Sequence, residues 1–287
     1  MLESIINPKK TEKGPLKMFF IGLFYATLSF WIVKIFFLGD PVLKEYSGMM
    51  VVTFCVMFSL PFMYYMMKNE EEEDEEVEGF LGIWKVHKDV IFGFMFLFLG
   101  IVIAFAAWNI CFKDSNMFNA QLETYCMINS PGDMERCINN YNFKESQIIT
   151  GSFSSKGARL LSIIENNAYV MIFTLVFSLI FGVGAIFVLS WNASVIAEAI
   201  GIYTDHKLLE MPFGIFRYMI HGFPEIAAYF ITALAGGILG VGILKNGLKT
   251  KKFLRIVENA VILLFLAVVI LVSAGIMEVY FTPLFFS

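Results

Sequence analysis

Seven stretches of the chain read as almost unbroken apolar runs: Met18–Leu38, Ser47–Met67, Val90–Cys111, Ala168–Leu189, Asn192–Tyr203, Ile226–Leu244 and Asn259–Met277. Six of them are about 20 residues long, the length at which a helix crosses a hydrocarbon core of about 30 Å. None alternates with the two-residue period of a barrel strand. The predicted fold class is therefore all-α, a polytopic transmembrane helix bundle. The fifth run is short, and as a helix would rise only about 18 Å. Either it borrows residues from the fourth run, with a break near Gly182 and Gly184, or it is a half-helix that dips in and returns. Met211–Gly222, between the fifth and sixth runs, reads as a re-entrant-like segment.

Charge outside the runs sets the expected topology. Lys245, Lys249, Lys251, Lys252 and Arg255 fill the short loop between the last two runs, and short basic loops stay in the cytoplasm. Lys9, Lys10, Lys13 and Lys17 place the N-terminus on the same side, as do Lys68, Lys85 and Lys88 after two crossings. The Ala168–Tyr203 region must then cross twice. The expectation is about seven crossings in the cell membrane, with the N-terminus cytoplasmic and the C-terminus outside; Lys156 and Arg159 run against that arrangement. The first run is too long for a signal-peptide core, and Leu38-Gly39-Asp40 is a poor cleavage site.

Composition agrees with the pattern. Hydrophobic residues make up 58% of the 287 positions and charged residues 16%, and the mean hydropathy is +0.71, more apolar surface than a soluble domain of this size can hide. The net charge of −4 carries little information, because much of the acid lies in Glu70–Glu76 and Glu78. That run reads as a solvated, disordered cytoplasmic loop rather than a cation site, since it lacks the glycine and the alternating oxygen ligands of a calcium loop. No basic patch interleaved with aromatics suggests nucleic acid. The chain divides into an N-terminal helix pair with the acidic loop (1–89) and a membrane domain (90–287) that includes an outer loop, 112–162.

Within that loop, Cys126 and Cys137 flank Ser130-Pro131-Gly132-Asp133, a strong turn sequence. A disulfide closing it suits an oxidising compartment; two free thiols are the alternative. Asn192-Ala193-Ser194 matches a glycosylation sequon but lies at membrane depth.

The candidate chemistry is the set of polar side chains inside or beside apolar runs, which are expensive in hydrocarbon. They are Glu165, Asn166, Asn167, Asn192, Glu198, His221, Glu225, Glu258 and Glu278. Phe223-Pro224-Glu225 also reads as a plain helix start, with proline in the first turn and acid at the positive end of the dipole. Glu165-Asn166-Asn167-Ala168 and Glu258-Asn259-Ala260 read as two helix openings, by capping or as a trace of inverted repeats. Gly236 and Gly240 form a small-xxx-small face suited to close helix packing, within the bundle or between copies. Zinc would need three or four ligands, and His87 and His206 are the only other histidines. No Ser-His-Asp order, phosphate loop, Cys-x-x-Cys pair or dinucleotide fingerprint occurs, so no cofactor, no metal and no enzymatic activity are expected.

Glu165-Asn-Asn, Gly182-x-Gly-x-Ile-Phe-x-Leu, Trp191-Asn-Ala-Ser-Val-Ile196, His221-Gly-Phe-Pro-Glu225 and Glu278-x-Tyr-x-Thr-Pro283 resemble the stage II sporulation protein M family of integral membrane proteins. The resemblance runs from about Val90 to the C-terminus, and the Trp191–Ile196 form is most similar to archaeal members. It implies a helix bundle with a long outer loop and an outside C-terminus. It also implies a non-enzymatic scaffold, as in spore-forming bacteria, where the namesake recruits peptidoglycan-degrading enzymes. The two N-terminal runs and the acidic loop depart from the bacterial form. The expected function is a scaffold that presents its outer loop to a protein partner, with self-association through the membrane helices as a second kind of contact. The alternative is a small-solute or ion transporter lined by the polar cluster, and a weaker one is an intramembrane enzyme using His221 and Glu225.

Overall fold

The computed structural model describes residues 14–74, 80–113, 117–129, 133–142, 155–181, 185–246 and 250–285. Among them the structure is helical, with seven helices long and apolar enough to cross a membrane. In chain order the helices are α1 (Pro15–Phe36), a short α2 (Pro41–Glu45), α3 (Ser47–Asp74), α4 (Phe80–Cys111), the loop helices α5 (Asn119–Asn129) and α6 (Met134–Asn142), then α7 (Lys156–Phe181), α8 (Ala185–Tyr203), α9 (Met211–Asn246) and α10 (Lys251–Ile276). A π-helical turn, Met277–Phe281, and a last turn, α11 (Thr282–Phe285), close the described chain.

Side-chain register shows the relative directions of five of the crossings. Gly22 meets Leu97 and Gly93 meets Met18, while further along Trp108 Nε1 donates to Thr27 Oγ1 at 3.1 Å. Helices α1 and α4 are therefore parallel. So are α7 and α9, where Leu175 faces Gly236 and Leu179 faces Gly240. Helix α10 runs against α9, with Gly242 on Ile256 at one end and His221 on Thr282 at the other. This alternation is what seven successive crossings require.

Two glycine seams set the closest approaches. A Cβ on Gly22 would overlap the Leu97 carbonyl, and one on Gly100 would overlap that of Phe19. Gly236 lies on the Leu175 carbonyl and the Ser178 Cβ, each 2.8 Å from where its own Cβ would stand. The Gly236–Gly240 face is thus spent inside the bundle, against α7. Small residues allow such backbone approach where no hydrophobic force drives helices together.

Several boundaries differ from the sequence reading. The fifth run gains its missing turns from the fourth: α7 ends at Phe181 and α8 starts at Ala185, with residues 182–184 outside the described chain. Met211–Gly222 does not dip and return, but forms the first turns of a 36-residue helix that continues through Pro224. A proline inside a membrane helix is tolerated where neighbouring groups take up the carbonyl it leaves free. The acidic run does not begin as a loop either, since α3 continues to Asp74; residues 75–79 lie outside the described chain. Helix α1 packs along α4 through Gly22 and Gly100.

Candidate functional site

Helices α5 and α6, from the 112–162 segment, fold onto one pole of the bundle. Asp133 precedes α6, and the Cys126–Cys137 disulfide joins α5 to α6 with both cysteines buried. Gln121 of α5 is fully buried, and its Nε2 donates to Gly48 O at 3.1 Å and to Ser194 Oγ at 3.1 Å. Ser47 Oγ donates to Met117 O at 3.1 Å. The loop is therefore pinned to the start of α3 and to the middle of α8. Beside it, the Lys34 ammonium stands 2.6 Å from the centroid of the Phe112 ring and 5.0 Å from that of Trp31, a cation on aromatic faces.

Near the same pole Glu198 is buried, and Asn109 Nδ2 donates to its Oε2 at 2.7 Å. Gly201 makes this meeting of α4 and α8 feasible, because a Cβ there would lie 2.7 Å from Asn109 Nδ2 and 3.2 Å from His206 Nε2. Asp205 and His206 turn the chain out of α8 with positive φ, 49° and 54°, and His206 N–H caps Gly201 O at 2.9 Å. Burial first, then the nearby Lys113 charge, pushes the His206 imidazole down to about 4, so it is neutral at physiological pH. Burial also raises the Tyr125 phenol, which meets Tyr218 and Tyr141 where the loop crosses α9.

A second polar group lies between α7, α9 and the end of α10. Tyr229 OH donates to Glu225 Oε1 at 2.7 Å, and the Asn167 amide is a further hydrogen-bond partner of Glu225. Glu278 is near enough for its charge to act on Glu225, and it pairs with Arg159 at 3.8 Å. His221 Nδ1 is 3.2 Å from Thr282 Oγ1, which itself donates to Met277 O at 3.2 Å. The π-turn carries Glu278, and single π-turns inside helices are frequent at functional sites.

Of the nine polar residues read from the sequence, Asn167, His221, Glu225 and Glu278 converge here. Glu198 belongs to the first group. Asn192 bonds within its own helix, to Val188 O at 2.9 Å. Asn166 donates to Asn167 Oδ1 at 3.4 Å, and exposed Glu165 accepts from Tyr169 OH at 3.4 Å. Glu258 is exposed at the far end of α10. None of the presumed helix openings is one. Glu165 and Glu225 lie well inside α7 and α9, and α10 is capped by Thr250, whose Oγ1 accepts from Phe253 N at 3.2 Å. The sequence reading passed over Asn109, Gln121 and Tyr229, took Thr282 only as part of the family motif, and took Arg159 only as a topology signal. Asn109 carried a readable sign, being an amide in an otherwise apolar run.

Among the described residues, no three His, Cys, Asp or Glu side chains gather to hold a metal ion. A small space between α4, α8 and α9 is lined by Leu97, Phe98, Ile101, Ile186, Leu189, Ser190 and Phe230.

Compared with known proteins, the chain matches the model of the family Stage II sporulation protein M (SpoIIM) over residues 18–283. It belongs to the SpoIIM family. The match starts in α1 and so takes in the N-terminal helices, and the chain is a multi-pass membrane protein of the SpoIIM type. No curated protein and no solved structure matches it.

Proposed function

We propose that this SpoIIM protein is a non-enzymatic membrane scaffold whose loop-bearing pole receives a protein partner outside the cell, with the N-terminus in the cytoplasm. The observation that carries the reading is the anchoring of that pole. Gln121, Ser47 and the buried disulfide hold α5 and α6 against α3 and α8, giving a preorganised surface that loses little entropy on binding. The basic residues Lys245, Lys251, Lys252 and Arg255 at the opposite pole support the orientation.

The test is photo-crosslinking from exposed loop positions, Glu123 and Glu135, in native membranes. A discrete adduct from both positions, lost when the disulfide cysteines are replaced, supports the scaffold. Absence of any adduct at either position counts against it. Accessibility of a cysteine introduced at Glu135 to an impermeant reagent in intact cells tests the orientation.

Transport is the second reading, favoured by the convergence of Asn167, His221, Glu225 and Glu278 between three helices. Flux in liposomes, with Glu225→Gln as control, decides it.

A further inference from the structure

Helices α7 and α10 carry apolar stripes that face outward from the bundle, and both stripes end at one level. Gly275 of α10 sets that register: a Cβ there would lie 3.4 Å from Leu160 and from Ile164 of α7. Toward the pole from this crossing, Glu278 meets Arg159 at 3.8 Å, and the Lys156 ammonium stands 5.8 Å from the centroid of the Tyr280 ring. In the other direction the exposed side chains are chiefly apolar, with Leu161, Ile172 and Phe173 on α7 and Val268, Val269 and Ile276 on α10. Glu165 interrupts the α7 stripe and is bonded to Tyr169; it follows Lys156 by about 13 Å along the axis. Tyr218, one turn before His221, meets Tyr125 of the loop, so the level of Lys156, Arg159 and Tyr280 belongs to the loop pole.

The two cations there are exposed and incompletely matched. Lys156 makes no ion pair among the described residues, and its recorded contact is an aromatic face. Arg159 stands one turn on, and like charges at that spacing repel. Its pairing with Glu278 is long, at 3.8 Å, and its side chain is 47% exposed. The next carboxylate inward, Glu225, is bonded by Tyr229 and Asn167. Arg217 of α9 lies over the Tyr203 ring at 4.6 Å, and its charge and that of Arg159 both act on His221. The aromatic rings at this rim, Tyr280 and Phe281, are themselves exposed.

We propose that Lys156, Arg159 and Tyr280 hold the phosphate headgroup of an anionic phospholipid, in the leaflet at the loop pole, with its acyl chains along α7 and α10. The two cations complement a phosphodiester charge: basic side chains at a membrane surface attract anionic lipid, and a guanidinium fork matches phosphate oxygens. Tyrosine settles at headgroup depth. A lipid rather than a soluble anion is the occupant because the cations terminate two apolar stripes that already face the acyl chains. The inference does not depend on the scaffold reading, on flux or on which pole is outside.

The experiment uses the full chain purified in a neutral detergent. Its thermal midpoint is titrated with dioleoylphosphatidylglycerol, with dioleoylphosphatidylcholine and with inorganic phosphate. The glycerol lipid should raise the midpoint by about 3 °C or more, and the choline lipid and free phosphate should not. Lys156→Gln should raise the half-saturating concentration of the glycerol lipid about fivefold, and Lys156→Gln with Arg159→Gln about 25-fold. Should the double variant fail to fold for want of the Glu278 pairing, Lys156→Gln alone carries the test, since it breaks no ion pair among the described residues. Lys44→Gln, the same change of charge on exposed α2, should leave the curve as in the wild type. Equal responses to the two lipids, or a rise with inorganic phosphate alone, overturn the proposal. So does a Lys156→Gln curve that matches the wild type, or a Lys44→Gln curve displaced as far as that of Lys156→Gln.

Discussion

Asn109 and Glu198 join α4 to α8 through a single amide–carboxylate hydrogen bond of 2.7 Å, buried from both sides. Because the two helices are otherwise held by apolar packing, this bond fixes their rotation at the loop pole. Asn109→Leu leaves the carboxylate buried without its donor, and is expected to lower stability by about 1–2 kcal/mol, the upper range for hydrogen bonds between membrane helices. Glu198→Gln keeps an acceptor for the same amide and should lose less. Unfolding in mixed detergent micelles measures both, and equal losses would show that the carboxylate's charge, rather than the bond, matters.

The α1–α4 seam predicts a sharper effect. A Cβ on Gly100 would meet the Phe19 carbonyl, a backbone atom with no freedom to swing away. Gly100→Val should cost about 3 kcal/mol or prevent assembly. Gly93→Ala, whose added carbon would meet the flexible Met18 side chain at 3.6 Å, should be close to neutral. Gel filtration in detergent after heating separates the two outcomes.

The Cys126–Cys137 bridge spans 11 positions, and its loss should cost about 3 kcal/mol, chiefly by freeing the unfolded loop. Both sulfurs are buried, so mild reductant should act slowly until the protein is warmed. Thermal unfolding of the Cys126→Ala, Cys137→Ala double variant, compared with the oxidised wild type, gives the figure.

His206 gives a pH dependence whose sign is fixed. Its imidazole is held at about 4 by burial and then by Lys113, below the ordinary value of about 6.5. The unfolded chain therefore binds the proton first on acidification. The stability His206 contributes is fully present above pH 6.5 and is lost progressively as pH falls toward 4. His206→Gln should flatten the decline between pH 6.5 and 4.5 in a denaturant titration, and an unchanged slope would assign the decline to other groups.

The membrane class, the seven crossings and the disulfide were legible because each leaves a local trace: apolar runs of bilayer length, a basic loop, and two cysteines around a turn. Helix starts were not. Pro224 looks like a first-turn residue because soluble helices rarely accept proline inside, and that prior fails where neighbouring helices satisfy the freed backbone. Glu165 looked like a helix opener because Lys156–Ser162 is too polar to register as membrane helix, although it continues the same helix. The site itself was half visible. Glu225 and Glu278 stand out as carboxylates in apolar surroundings, but their grouping with Arg159 joins positions far apart in the chain. No local pattern encodes that meeting.

Gln121 also bears on biogenesis. It belongs to the stretch that leaves the membrane between α4 and α7, yet its amide bonds α3, inserted before it, and α8, inserted after it. Those two helices reach these contacts only when α5 has folded back against them. The bundle thus closes only when the segment between α4 and α7 is seated against one helix made before it and one made after it.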